Sequence, residues 1–181
     1  MKVKNWLIPM ALIGFALVLT LVPTITQGAG ADPEADRIAI GFRIAPVHLN
    51  VHNGDLDHDL VGLGSYIVNA QAACNDCHTN PPYADGGNPF MGQPKHFNSA
   101  HYLGGGTAFG PFISDNLTPD SHGLPAGLTY AQFKTLMRTG HAPDLPAGAI
   151  LHVMPWPVFQ SMTDHDIQAL YAYLRAIPHV D

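Results

Sequence analysis

The clearest apolar pattern lies near the C-terminus. Ile167, Leu170, Tyr171, Leu174 and Ile177 form one stripe at helical spacing. Thr163 stands where an N-cap belongs, with Asp166 three residues on, and Met162 and Ile167 sit at the positions of a hydrophobic staple. Pro178 ends the predicted helix. A second helix is predicted over about Tyr130–Arg138, where Thr129 and Gln132 make a capping box and Gly140 comes just after the last turn. A third runs over about Val61–Cys74. Leu63, Tyr66, Ile67, Ala70, Cys74 and Cys77 recur on one of its faces, which puts both cysteines at its end, on the apolar side.

Between these helices the pattern fades. Residues 79–127 hold Pro81-Pro82, Gly86-Gly87 and Gly104-Gly105-Gly106, and read as loop with room for two short strands. A connection of that length is unusual in a compact domain. A large prosthetic group would explain it, because loops can pack on such a group instead of on each other. Residues 32–61 read as an N-terminal extension, with a short strand or turn around Ile38–Ile44, broken by Pro46 and His52-Asn53-Gly54-Asp55.

Residues 1–31 read as a targeting segment. Lys2 and Lys4 precede an uncharged apolar run from Leu7 to Val22, and Ala29-Gly30-Ala31 offers a small-residue cleavage site after Ala31. The alternative is an uncleaved membrane anchor, although the run is short against the ~20 residues of a span. Both readings export the remainder. Of the eight basic residues, Lys2 and Lys4 fall in this segment, so six remain beside fourteen acidic ones, a formal charge of −8. Such a balance argues against nucleic acid, which needs a basic surface, and suits solubility or steering toward a basic partner.

The chain has two cysteines, and they occur in Cys74-Asn75-Asp76-Cys77-His78, the C-x-x-C-H haem-attachment pattern. Thiols three positions apart share one side of a turn, so both can add to the vinyl groups of one haem. The next residue then places its imidazole under the iron. His78 is the proximal-ligand candidate. The competing readings are a disulfide, a thioredoxin-like dithiol and half a zinc site. Zinc would need further cysteines or a spaced histidine pair, and the dithiol would need a βαβ pattern. One motif predicts one covalent haem c.

A sixth iron ligand must come from elsewhere. Met1 and Met10 belong to the leader, Met137 to a helix and Met162 to the staple. Met91 and Met154 remain. Met154 precedes Pro155-Trp156-Pro157, and a residue before proline is held toward extended geometry, which favours it over Met91 beside Gly92. His152 is the serious rival, with His141, His96 and His101 behind it.

At these residues the chain resembles the class I cytochrome c domain over about residues 62–178. The resemblance rests on Cys74-x-x-Cys77-His78, Asn116-Leu117-Thr118-Pro119-Asp120, Phe133 to Gly140, Met154-Pro155-Trp156-Pro157 and the Thr163–Pro178 helix. It is similar above all to the domains in cytochrome subunits of bacterial membrane-bound alcohol and sugar dehydrogenases. The resemblance implies a mainly α fold, with helices packed round one covalent haem, long loops and at most a short β-hairpin. With the leader at 1–31 and an extension at 32–61 that is not part of the shared pattern, it makes 62–181 the cytochrome domain. It places Met154 on the iron, Asn116 in a turn beside the haem, and the first and last helices in a crossing next to it. Trp156 and Arg138 are candidates for haem propionate contacts; packing and solvation are their alternatives. Those family subunits usually carry three haems, and this chain offers one motif. Asn116 also heads an Asn-Leu-Thr glycosylation triplet.

The function this implies is single-electron transfer between exported or membrane-bound redox partners: a dehydrogenase, other cytochromes or a terminal oxidase. The protein would carry electrons and not act as an enzyme itself. It would be periplasmic or otherwise extracytoplasmic, free or tethered through residues 7–22. Two alternatives stand beside it. One is a haem enzyme or gas sensor with a displaceable sixth ligand; the other is a dithiol oxidoreductase.

Overall fold

The computed structural model describes residues 32–51 and 56–181. The expectations for the leader, its cleavage and membrane association through residues 7–22 all lie outside them. Among the described residues no helix is long and apolar enough to cross a membrane.

Asp32 caps the first helix, α1 (Pro33–Ile44), by accepting the Glu34 amide at 3.0 Å. Pro33 suits the first position, where its missing N–H costs nothing. Glu34 and Asp36 lie in the first turn and Arg43 in the last, matching the helix dipole. The strand or turn expected around Ile38–Ile44 is therefore the second half of a helix. Ile38 and Phe42, four apart, share the face that packs on the core, as helical spacing requires.

Asp57 caps α2 (His58–Tyr66), taking the amides of Asp59 and Leu60 at 2.9 and 3.1 Å. The helix continues as one π-helical turn, Ile67–Gln71. It does not run on to the cysteines as expected. Ala73 adopts a left-handed conformation (φ 51°), and a separate one-turn helix, α3 (Cys74–His78), begins after it. The 79–127 segment carries two short 3₁₀ turns and a two-residue hairpin, β1 (Ala108–Phe109) paired antiparallel with β2 (Phe112–Ile113). Then come α4 (Tyr130–Thr139), with the Thr129/Gln132 capping box and Gly140 as left-handed C-cap, a short α5 (Trp156–Phe159), and α6 (Asp164–Ala176) capped by Thr163. The described residues are thus mostly helical, with one small two-stranded sheet.

The core forms where α2 meets α6. Val61, Leu63, Ile67 and Val68 pack with Ile167, Leu170, Tyr173 and Leu174, and Phe133 and Met137 of α4 join them. Glycines allow the close approach. A β-carbon on Gly64 would overlap the carbonyl oxygen of Ala169, and one on Gly41 the carbonyl oxygen of Gly62. The Ser65 hydroxyl donates to the Gly41 carbonyl at 2.7 Å, and Arg37 lies over the Tyr66 ring with its guanidinium 5.4 Å from the centroid. Residues 32–51 therefore belong to the same compact unit as the later helices.

Candidate cofactor-attachment site

The left-handed Ala73 turns the chain sharply, and α3 then presents Cys74 and Cys77 one turn apart. Left-handed geometry is uncommon for a residue with a β-carbon. Anchorage just beyond α3 holds it here: Thr79 is fully buried and its hydroxyl accepts the Leu103 amide at 2.9 Å. Both cysteines are free thiols and half-buried. Burial pushes the Cys74 thiol up to about 12, and burial, then the nearby Asp76 carboxylate, raises Cys77 as well. A reactive redox dithiol needs the opposite, a depressed thiolate. Among the described residues no cluster of three His, Cys, Asp or Glu side chains is placed to hold a metal ion.

His78 closes the same helix. Its Nδ1 lies 2.8 Å from the Asp115 carbonyl oxygen. A carbonyl can only accept, so Nδ1 carries the proton and Nε2 keeps its lone pair. Burial lowers the imidazole's pKa below the ordinary histidine value, which favours the neutral, ligating form. A backbone carbonyl on the far ring nitrogen is the usual way in which a metal-binding histidine is oriented.

The Asp115 carbonyl is itself held in place. The Gly105 amide donates to the His78 carbonyl at 2.7 Å, Gly106 to Ser114 at 2.9 Å, and Leu117 to Leu103 at 2.8 Å. Gly105 (φ 76°) is needed because a β-carbon there would meet the backbone of Ser114–Asn116. Asn116 ties this strap to the C-terminus: its Nδ2 donates to the Val180 carbonyl at 2.7 Å, and its Oδ1 accepts the Thr118 amide and hydroxyl at 2.8 and 2.6 Å. Its side chain is engaged within the chain, one residue from the carbonyl that fixes His78.

Met154 is half-buried against the core, and Pro155 (φ −78°, ψ 49°) closes an inverse γ-turn in which the Trp156 amide donates to the Met154 carbonyl at 2.8 Å. Met91, by contrast, is 73% exposed on a 3₁₀ turn. The Trp156 indole N–H donates to the Leu151 carbonyl at 3.2 Å, and its ring lies against Gly140. Arg138 is bound to Asp164 at 2.8 Å and to the Gln160 carbonyl. Both propionate candidates thus have partners within the chain. His152 stacks on Phe112, and His141 Nδ1 lies 2.7 Å from the Ala149 carbonyl. Two surface cavities open elsewhere, and neither is lined by Cys74, Cys77 or His78.

Sequence reasoning missed the Asp115 carbonyl, Thr79 and a buried polar group next to Cys74. In that group the Tyr102 hydroxyl donates to Asn69 Oδ1 at 2.6 Å and lies 3.0 Å from the Tyr173 hydroxyl, while Asn69 donates to the Ser65 carbonyl at 3.0 Å. Burial raises both tyrosines above their usual range, with Cys74 adding to the effect. The triplet Gly104-Gly105-Gly106 and the Asn116-Leu117-Thr118 segment were the visible traces of the strap.

No family model and no solved structure matches the chain. It is similar to the cytochrome c subunit of the quinone alcohol dehydrogenase of Gluconobacter oxydans, 29% identical over 157 residues, which covers 84% of this chain and 27% of that subunit. It is 32% identical over 114 residues to the gluconate 2-dehydrogenase cytochrome c subunit of Pantoea cypripedii, covering 63% and 22%. With the fructose dehydrogenase cytochrome subunit of Gluconobacter japonicus it shares 33% over 120 residues, covering 63% and 20%. The chain spans about a quarter or less of the length of these relatives. Its distant homologues are thus cytochrome subunits of dehydrogenases, which supports an electron-transfer role.

Proposed function

We propose that this chain is a mono-haem c-type cytochrome of the class I fold, with thioether bonds at Cys74 and Cys77, His78 as proximal ligand and Met154 as distal ligand. The observation that carries the reading is the His78–Asp115 hydrogen bond beside two free thiols one helical turn apart. It leaves Nε2 of a neutral imidazole free at the point where the attachment motif needs a ligand. Bound there, the iron would supply a one-electron couple, and methionine–histidine ligation raises its potential. The chain's own residues hold the ligands in place. The Asp115 carbonyl fixes the imidazole, Asn116 and Thr118 fix the strap that carries it, and the γ-turn at Pro155 restrains the thioether. Trp156 and Asn116 act by positioning in this reading.

The protein is exported and cut after Ala31, which leaves Asp32 as the first residue and the cap of α1. If the cut is not made, residues 7–22 tether it. Its partners are a dehydrogenase as donor and another cytochrome or a terminal oxidase as acceptor. The direct test is the mass of protein isolated from the native periplasm or membrane. It should exceed the processed polypeptide by one haem, and that haem should survive acid–acetone extraction. Release of all haem by that treatment overturns covalent attachment. A start at Met1 would show a retained anchor, and holoprotein in the cytoplasm would overturn export.

A further inference from the structure

We propose that the stacked pair Phe112–His152 braces the Met154 segment against the His78 segment, so that both are positioning residues for the distal thioether. The proposal rests on the reading of Met154 as the distal ligand. Phe112 lies at the turn end of β2, and the hairpin is continuous with the strap that orients His78. Ser114 donates to the Thr107 carbonyl at 2.9 Å, Gly106 to Ser114 at 2.9 Å and Gly105 to His78 at 2.7 Å, and the carbonyl of the next residue, Asp115, takes the imidazole. His152 lies two residues before Met154, in a segment tied to the rest of the chain at Leu151, whose amide donates to the Gly140 carbonyl at 2.9 Å and whose carbonyl accepts the Trp156 indole.

Among the described residues no hydrogen bond or ion pair joins 105–118 to 141–158. The two rings do join them: their centroids lie 5.6 Å apart at an interplanar angle of 24°. Phe112 is 45% exposed and His152 is exposed, so core burial does not account for the pairing. Offset stacking at this distance is favourable in its own right. It links the segment that bears Met154 to the strap whose Asp115 carbonyl orients His78, and the two are otherwise anchored separately. It also gives the His152 ring a role other than iron ligation.

The test uses holoprotein and reads carbon monoxide binding to the reduced form, together with the far-red absorption band of a thioether on ferric iron. His152→Ala and Phe112→Ala should each raise the carbon monoxide association rate about three- to ten-fold, as loss of one aromatic pair would. The double variant should be no faster than either single one, because both remove the same contact. His152→Phe keeps a stacking ring and should bind at the parent rate. Parent rates in both alanine variants, or a His152→Phe variant as fast as His152→Ala, would overturn the brace. Failure of the underlying reading looks different: the parent would lack the far-red band, or Met154→Ala would leave it intact.

Discussion

The region built from α1, α2, α4 and α6 and the region built from residues 79–127 and 140–162 are held together in different ways. The helical region closes by apolar contact and steric fit. Its core-facing side chains on α2, α4 and α6 are buried, and at Gly41 and Gly64 main chain approaches main chain closely enough to exclude a methyl group. The loop region buries few large side chains and exposes Phe90, Phe112, Ile113 and Val153. It is held by side chains that bond to main chain: Asn116 to Val180, Asn80 to Gly106, Thr79 to Leu103, His78 to Asp115. The first kind of order comes from apolar pattern and length. The second depends on single polar groups, each of which fixes the position of one strap; Met154 lies in that region, and so does the strap that orients His78.

The contrast is most easily broken at a glycine crossing. Gly64→Val should destabilise the protein by about 3 kcal/mol or more, since the clash is with the backbone of Ala169 and not with a mobile side chain. Loss of a cooperative thermal transition by far-ultraviolet circular dichroism checks it; a melt equal to the parent would show that the helices separate without cost. In the loop region the largest single effect should come from Asn116→Ala, which removes the short hydrogen bond to the Val180 carbonyl and the acceptor of the Thr118 amide and so loosens the Asp115 strap, at about 1–3 kcal/mol. Denaturant titration reads the loss. Hydrogen exchange should localise it to residues 114–118 and 179–181, away from α2.

Smaller effects sharpen the boundary between the regions. Thr129→Ala removes a reciprocal cap and should cost about 1 kcal/mol, with the same denaturant slope as the parent. The smallest change concerns acid. Hydrogen bonds from Lys134 and then Arg138 hold the Asp164 carboxyl below the usual carboxylate range. For a group depressed in the folded state, its stabilisation is present above the unfolded value and is lost as pH falls through the folded one. The melting temperature should therefore decline on acidification below the ordinary carboxylate range, and Asp164→Asn should flatten part of that decline. An unchanged acid profile in the variant would show that this exposed cluster contributes nothing.

What the sequence revealed obeyed the same division. Thr129 with Gln132, Gly140 and Thr163 are local signals, so α4 and α6 were legible with their caps. The cysteine motif was legible because its chemistry is local too. α1 is the miss: Asp32-Pro33 opens a helix there, but Ile38, Ile40, Phe42 and Ile44 also alternate, and that pattern fits a strand as well as a helix. The break at Ala73 left no trace, since alanine favours helix and the contacts that anchor the segment beyond it, such as the Leu103 amide on Thr79, come from distant parts of the chain. The carbonyl that orients His78 is main chain, and no side-chain pattern announces it. The Phe112–His152 pair joins residues forty positions apart, beyond the reach of periodicity.

The π-helical turn at Ile67–Gln71 sets the angular phase at which the chain leaves α2 toward the attachment motif. One extra residue in a helix rotates all later positions by about 100°. Deleting a single residue there would restore an ordinary α turn with little loss of hydrogen bonding, yet would turn Cys74, Cys77 and His78 away together from the Asp115 strap. The five residues act as a phase shifter between a helix shaped to pack against α6 and a motif that must face another way. The crossing of α2 with α6 and the aim of the attachment motif can therefore be changed independently, by altering length on either side of that one turn.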